Sequence, residues 1–348
     1  MTDMHQYYQY RPDDSGAVSN QPTPHNGSHE EKHHPLRRFL VWLAIILVVV
    51  LVVLAVLLGG VYAYVTQIPV ANTDGRTNVV ILGVDEAAQL SDTIMIASIR
   101  HGSGQPPEVA MVSVPRDLYL NIPQHGDHKI NAAYALGENQ DNEGGGAELT
   151  VKTIEQQFEL PVHYYAAIEF ESFKEIINAV GGVTVDVKTA IDDPYYPAPG
   201  NAGHEPFHIE AGKQHLDGER ALKYARSRKT TNDFDRSYRQ QQVMLAVRNK
   251  ILGTGGADID ISRALNLYRA VGEHVDGNMS RLEMLRLAYT LRNVDTSGTG
   301  QYVLSSSNLL TSTSGGRLVP SGGDFQQVQE FLDNLFSQPR VEEFQPRF

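Results

Sequence analysis

From Phe39 to Thr73 the chain carries no charged residue, and its apolar heart, FLVWLAIILVVVLVVLAVLLGGVYAYV, runs from Phe39 to Val65. Roughly 20 apolar residues suffice to cross a bilayer as a helix, so residues 37–66 read as a transmembrane segment long enough to span with some tilt. The apolar region of a secretory leader is shorter, about 7–15 residues, and does not follow a long polar segment. The run is therefore expected to be an uncleaved signal-anchor, with cleavage near Ala63 or Ala71 as the alternative. Lys32, Arg37 and Arg38 precede it, while the first basic residue after it is Arg76. By the positive-inside rule the N-terminus is then cytoplasmic and everything after the span is extracellular, in a single-pass protein of the cell membrane. Trp42, Tyr62 and Tyr64 fall near the two ends, where interfacial aromatics belong.

Residues 1–36 are rich in His, Pro, Gln, Asn, Ser and Tyr and almost free of aliphatic side chains. They cannot bury enough apolar surface to fold alone, so a disordered cytoplasmic tail is expected there. Residues 67–76 read as a linker and residues 77–340 as one large extracytoplasmic domain with a full hydrophobic core. There is no cysteine. An exported domain without disulfides suits a Gram-positive-type surface better than a eukaryotic secretory route. The net charge of -12 and the absence of any DNA-reading motif argue against a nucleic-acid partner.

Within the outer domain, Asn78–Gly83 is a continuous apolar run ending in glycine, the pattern of a buried central strand. Thr93–Ile99, Val109–Val114, Tyr164–Ile168 and Val183–Val187 read as further strands, with Tyr302–Leu304 as a last one. Helices are expected at Ala147–Phe158, Phe170–Val180, Gly218–Tyr224, Arg236–Leu252, Ile261–Val271, Arg281–Leu291 and Phe325–Phe336. Strands and helices intermingle, so the expected class is α/β or α+β with a mixed central sheet flanked by helices. Residues 192–204, DDPYYPAPGNAGH, read as a loop of the kind that covers a site.

The segment KYARSRKTTNDFDRSYRQQQ, Lys223–Gln242, places Arg226, Arg228, Arg236 and Arg239 with Lys223 and Lys229 within a short stretch of an acidic chain. A guanidinium keeps its proton, and its planar fork matches phosphate oxygens in pairs. So dense a cluster suits a concentrated negative charge such as a pyrophosphate; a solvated helix face is the plain alternative. The spacing of Arg226 and Arg228 suggests strand or loop neighbours, with the second arginine pair beyond a turn at DFDR. Asp85, in LGVD, and Asp92, in SDT, sit where successive strands emerge. Two such carboxylates can hold Mg²⁺ through one or two bonds, leaving water and phosphate oxygens to complete its shell. Strand-end aspartates are also common as caps and turn residues. Arg116 and Asp117 follow a strand in SVPRDLY, and Lys129 and Asn131 lead into a short helix.

The succession LGVD, SDTIMIASI, SVPRDLYL, KINAAYA, a Tyr-Tyr strand with FKEIINAVGGVTVDV, then ALKYARSR and DFDRSYRQQQ, resembles the LytR-CpsA-Psr family from Asn78 to about Leu252. The resemblance implies a membrane-anchored phosphotransferase. It would move a glycopolymer (wall teichoic acid, capsule or a similar secondary polymer) with its linking phosphate from an undecaprenyl-pyrophosphate carrier onto peptidoglycan, releasing polyprenyl phosphate. Matched position by position, Asp85 and Asp92 would hold magnesium, or manganese in its place. Arg116, Lys129, Arg226, Arg228 and Arg236 would bind the pyrophosphate oxygens, and Gln240 would complete the head-group site. Asp233 would serve as a proton acceptor or orient an arginine. Where the family often has arginine before Ser-Asp-Thr, this chain has Leu90.

Phosphoryl transfer needs positioning and charge neutralisation more than a covalent nucleophile. That fits a chain in which Ser91, Ser113 and Ser227 have no evident histidine partner. His125, His128, His204 and His208 lack metal-type spacing and are expected at the surface. The polyprenyl tail would need an apolar groove, for which Phe158, Phe170, Phe173 and Ile177 are candidates. Two other readings use the same arginines: a non-enzymatic surface module binding anionic polymer or lipid head groups, and a lipid-carrier pyrophosphatase in which water replaces the acceptor.

Overall fold

The computed structural model describes residues 46–337 except 54, 57–58, 61–62, 65, 86–89, 103–104, 140–144, 199–202, 228–232, 253–259, 293 and 295–298. The expected tail, Trp42, Tyr62, Lys229 and Arg228 lie outside the described residues, as does the side chain of Asp233. The chain divides into two compact units, Met1–Gly60 and Val61–Phe348. In the first, the described residues are helical, and their aliphatic side chains stand half exposed from Ile46 to Val53. Among the described residues no helix is long and apolar enough to cross a membrane.

The second unit is built on a six-stranded mixed sheet. β1 (Arg76–Asp85), β2 (Leu90–Arg100) and β3 (Glu108–Val114) form an antiparallel meander. β4 (Tyr119–Ile122) and β5 (Gly126–Lys129) make a small hairpin, followed by α1 (Ala132–Glu138) and α2 (Gly145–Phe158). β6 (Tyr164–Glu169) returns parallel to β1 and runs directly into α3 (Phe170–Ala179). Helix α3 ends at Gly181-Gly182, whose φ angles of 76° and 73° are the left-handed values a helix stop needs. A Cβ at Gly182 would also lie 2.7 Å from the Leu216 carbonyl oxygen, so this position admits only glycine.

β7 (Val183–Val187) precedes a hairpin of β8 (Ile191–Pro197) and β9 (His204–Ile209), and β10 (Gly212–Leu216) pairs back onto β7. The stretch expected as a covering loop is therefore largely this hairpin: Ile191 and Asp193 point inward with Asp192 outward between them, an alternation that proline and tyrosine content obscures. Then come α4 (Gly218–Arg226), α5 (Asp233–Leu252), α6 (Ile261–His274), β11 (Val275–Gly277) and α7 (Arg281–Leu291). β12 (Gly300–Val303), a hairpin of β13 (Leu310–Ser312) and β14 (Leu318–Pro320), and α8 (Gln326–Asp333) complete the unit. The large sheet has the order β11-β6-β1-β2-β3-β12.

Alternation along β1 divides its side chains between two layers. Val80, Leu82 and Val84 enter the main core with Ile94, Ile96 and Val112 beneath α1, α2 and α8. Val79 and Ile81 face the other layer, where Val79 meets Leu287 of α7. A third cluster joins Ile177 of α3 to the β7–β10 strands, Tyr224 of α4 and Val243 of α5. Burial of the aliphatic run on both faces explains why β1 reads as a continuous apolar stretch.

Two local expectations change. Arg226 is the last residue of a helix rather than part of a strand or loop, and DFDR forms the first turn of α5. Helix α4 owes its start to Asp217, whose carboxylate accepts from the Arg220 amide at 2.8 Å, and it carries Lys223 and Arg226 in its last turn, where cations suit the helix dipole.

Candidate functional site

At the C-terminal end of β1 the sheet carries a bulge. Gly83 pairs with Thr93 but Val84 pairs with Ser91, so Asp92 is the extra residue. A bulge turns a side chain away from strand alternation, and Asp92 lines a cleft of ≈ 300 Å³. Thr93, Phe170, Asp193, Tyr195, Pro197, His204, Arg226, Arg236 and Gln240 form the rest of its wall. Gly83 permits the close approach of the two strands: a Cβ there would lie 2.9 Å from that of Thr93.

Beside this polar cleft lies an apolar groove of ≈ 110 Å³, lined by Ile81, Leu82, Gly83, Met95, Ile168, Phe173, Leu222, Ala225 and Met244. Thr93, Phe170, Arg226 and Gln240 border both spaces. Helical spacing builds this order twice. On α5, Arg236, Gln240 and Met244 are one helical step of four apart and run from cleft to groove. On α4, Arg226 and Leu222 do the same. Of the expected groove residues, Phe170 and Phe173 line it, whereas Phe158 and Ile177 are buried in two separate cores.

The Arg226 guanidinium lies over Phe170, 3.9 Å from its ring centre, and 5.9 Å from that of Tyr196. Burial raises the Tyr196 phenol above its ordinary pKa, and Arg226 partly opposes this. Asp193, 2 % exposed, accepts from the Ser227 hydroxyl at 2.7 Å and from the Tyr195 amide at 3.1 Å. The hairpin thereby holds the residue that follows Arg226. Arg236 is buried in the cleft wall at 6 % exposure.

Arg116 donates to Asp92 at 2.5 Å and lies 3.8 Å from Asp117, which accepts from Lys129 at 2.6 Å. A chain of charges thus connects the cleft to Lys129, whose own side chain is exposed and lies outside the cleft lining. Asp85 ends β1 opposite Leu90, two residues from Asp92 along β2, and is likewise outside that lining. Among the described residues no three His, Cys, Asp or Glu side chains gather as a metal site.

Two cations of the basic segment do other work. Arg239 turns inward, its Nε donating to the Tyr224 carbonyl at 2.8 Å and its Nη2 to that of Ser227, so it satisfies the end of α4. Desolvation lowers its pKa. Lys223 pairs with Glu205 at 2.7 Å, and that bond raises its pKa. Next to them, Gln241 is fully buried and donates to Ser113 Oγ and the Tyr302 carbonyl, pinning α5 to the sheet. His204 lines the cleft from an exposed position, and His128 and His208 are exposed. Asp193, Tyr195 and Thr93 escape sequence reading. For Asp193 the signal is a carboxylate at an inward position of an alternating strand.

The LytR_cpsA_psr family model matches residues 62–331. A polyisoprenyl-teichoic acid--peptidoglycan teichoic acid transferase TagU of Oceanobacillus iheyensis is 34% identical over 219 residues, 61% of this chain and 62% of that protein. TagU of Bacillus anthracis is 32% identical over 277 residues, covering 71% of this chain and 81% of that protein. TagT of Bacillus subtilis is 32% identical over 214 residues, and the chain spans 59% of its length. Among solved structures, TagT bound to LI-WTA superposes with a TM-score of 0.57 at 25% identity, over 78% of this chain and 95% of that one. The crystal structure of B. subtilis TagV shares the fold, with a TM-score of 0.60 at 23% identity over 77% of this chain and 100% of that one.

Proposed function

The chain belongs to the LytR-CpsA-Psr family, and on that premise we propose that it transfers a lipid-linked glycopolymer, such as a teichoic acid, onto peptidoglycan. The observation that carries this reading is the joining of a polar cleft that carries Arg226 and Arg236 to an apolar groove across the shared side chains Arg226, Phe170, Thr93 and Gln240. A polyprenyl pyrophosphate has the same two parts, a concentrated negative charge and an aliphatic tail. A module for soluble anions would need only the first.

In this reading Arg226 and Arg236 bind the pyrophosphate oxygens, with Gln240 beside them, while the first isoprene units lie against Ile81, Met95, Phe173 and Met244. The acceptor hydroxyl attacks the phosphorus that carries the glycan. A new P–O bond forms, the bond to the bridging oxygen breaks, and polyprenyl phosphate leaves with the electron pair. Charge moves toward that bridging oxygen, so cations fixed in the wall before reaction stabilise the transition state without reorganising. Arg228 and Asp233 remain proposed as a further phosphate contact and as the proton acceptor or arginine-orienting carboxylate.

The donor set suits a hard divalent cation: Asp92 faces the phosphate site from a bulge, Asp85 ends the adjoining strand, and magnesium characteristically takes one or two carboxylates plus phosphate oxygens. Bound there, magnesium or manganese would neutralise charge on the pyrophosphate. In the ligand-free chain Arg116 balances Asp92. The exposed aliphatic side chains of Ile46–Val53 support the membrane anchor over residues 37–66, with the catalytic unit outside the cell.

The test is turnover by the full chain in vesicles, supplied with a polyprenyl-pyrophosphate-linked glycan, peptidoglycan fragments and Mg²⁺. Glycan-phosphate on the acceptor, with release of polyprenyl phosphate, is expected. Binding of the lipid without any release would leave only an anion-binding module. Release without glycan-phosphate on the acceptor would make the protein a lipid-carrier pyrophosphatase.

A further inference from the structure

Among the described residues, nothing covers one face of helix α7. Leu282 and Leu285 are 43% and 39% exposed, with Arg281 and Ala288 also exposed beside them. Helical spacing sets Arg281, Leu285, Ala288 and Arg292 along one line. Tyr289 lies at its edge, with the Arg292 guanidinium 3.6 Å from its ring centre and that of Arg286 at 5.6 Å. The one carboxylate of the helix, Glu283, points inward to the Ser280 cap and Tyr164. Within α7 itself this apolar stripe, edged by arginines, carries no carboxylate besides Glu283, which is unusual on a chain of net charge -12.

The same helix holds the chain where it enters the domain. Val70 packs against the cluster of Val79, Ile99, Tyr164 and Leu287. The Ala71 amide donates to the Tyr164 hydroxyl at 2.8 Å, which donates to Glu283 of α7 at 2.8 Å. Gln67 is the last described helical residue after the apolar run, and only Ile68 and Pro69 lie between it and Val70, three chain steps in all. Three steps reach about 10 Å at most. Ile81 packs in this cluster and also lines the apolar groove.

We propose that α7 docks on anionic phospholipid headgroups of the bilayer that the apolar run enters, with Leu282 and Leu285 in the headgroup layer and Arg281 and Arg292 on the phosphates. Docking would set the Ile81 end of the groove toward the lipid that the proposed reaction consumes. The inference rests on the anchor and lipid-site readings of the preceding section. Charge complementarity and the short tether select a lipid surface over a second copy of the chain.

Because the chain has no cysteine, Ala288→Cys can carry a single environment-sensitive fluorophore. The full chain is reconstituted in phosphatidylcholine vesicles with and without phosphatidylglycerol, and Ser314→Cys in the exposed β13–β14 turn serves as the control. A blue shift and quenching by doxyl-lipid are expected at position 288 with phosphatidylglycerol, and at neither position without it. Combining Arg281→Gln with Arg292→Gln should abolish the lipid-dependent shift while flotation with the vesicles persists.

An unshifted label, an equal shift in both lipids, or a shift that follows protein density and so reports a second copy would each overturn the proposal. A chain that does not float would sink the anchor reading and this one together. Docking without glycopolymer transfer would leave this surface intact and sink the proposed reaction alone.

Discussion

The Arg226 guanidinium stacks on the Phe170 ring at 3.9 Å from its centre, joining the last residue of α4 to the first of α3. The ring supports the guanidinium in the cleft wall, which both side chains line. Lysine would keep the charge but lose both the stacking and the paired donors. Removing one preorganised donor typically costs about 10²–10³ in rate. Arg226→Lys should therefore slow glycan transfer by about that factor, mainly in kcat. Phe170→Leu, which keeps an apolar wall, should cost less than Arg226→Lys and raise KM as well. Steady-state kinetics of both variants check the order; a lysine variant matching the parent would show that fork geometry is irrelevant.

Most of this cleft is legible in the sequence because its residues flank elements with strong periodicity. β1 and α3 announce themselves as a buried aliphatic run and an amphipathic helix stopped by two glycines, and α7 shows its boundaries through the Ser280 cap and its apolar spacing. Asp92 then follows from its place beside the end of β1, whereas Arg226 is legible as part of a basic cluster but not as the end of α4. What stays hidden depends on contacts distant in sequence. Nothing local separates Arg239, which caps carbonyls of α4, from Arg236, which lines the cleft, although both lie on α5. Nor does a Pro- and Tyr-rich hairpin reveal that Asp193 will be buried against Ser227.

That buried contact gives a stability prediction. Asp193→Ala strips the Ser227 hydroxyl and the Tyr195 amide of their acceptor. Leaving buried polar groups unsatisfied costs about 1–3 kcal/mol. In a domain of this size the expected fall in Tm is several degrees, roughly 2–4 °C per kcal/mol. Asp193→Asn retains an oxygen acceptor and should lose less. Thermal unfolding of the three proteins decides; equal midpoints would show that the hairpin does not depend on this carboxylate.

The carboxylates at the bulge give a metal prediction. Asp85→Ala with Asp92→Ala should abolish Mg²⁺-dependent cleavage of the polyprenyl pyrophosphate and weaken calorimetric Mg²⁺ binding in the presence of pyrophosphate. The fold should persist, because Asp92 lies outside the regular β1–β2 pairing. Undiminished metal binding in the double variant would remove both residues from the metal site.

His163 supplies the pH dependence. Its Nδ1 accepts from the Asn78 amide at 3.0 Å, and its Nε2 lies 3.1 Å from the Thr73 hydroxyl, so the ring locks the entering linker to β1 as a neutral imidazole. Burial lowers its pKa, an effect that the Asn78 contact and Glu155 oppose and that Arg76 and His101 reinforce. His101, bonded to Thr77 at 2.7 Å, is also lowered, by burial and then by Arg286. A histidine with a depressed folded pKa stabilises the fold fully above its unfolded value, about 6.5. That contribution falls as pH drops below this value, because the unfolded chain takes up protons first. Tm should therefore be flat above neutrality and decline through the range below about pH 6.5. His163→Asn places an amide oxygen near the former Nδ1 position and cannot titrate, so its decline with acid should be shallower than the parent's. Parallel curves for the two proteins would show that His163 carries none of the acid sensitivity.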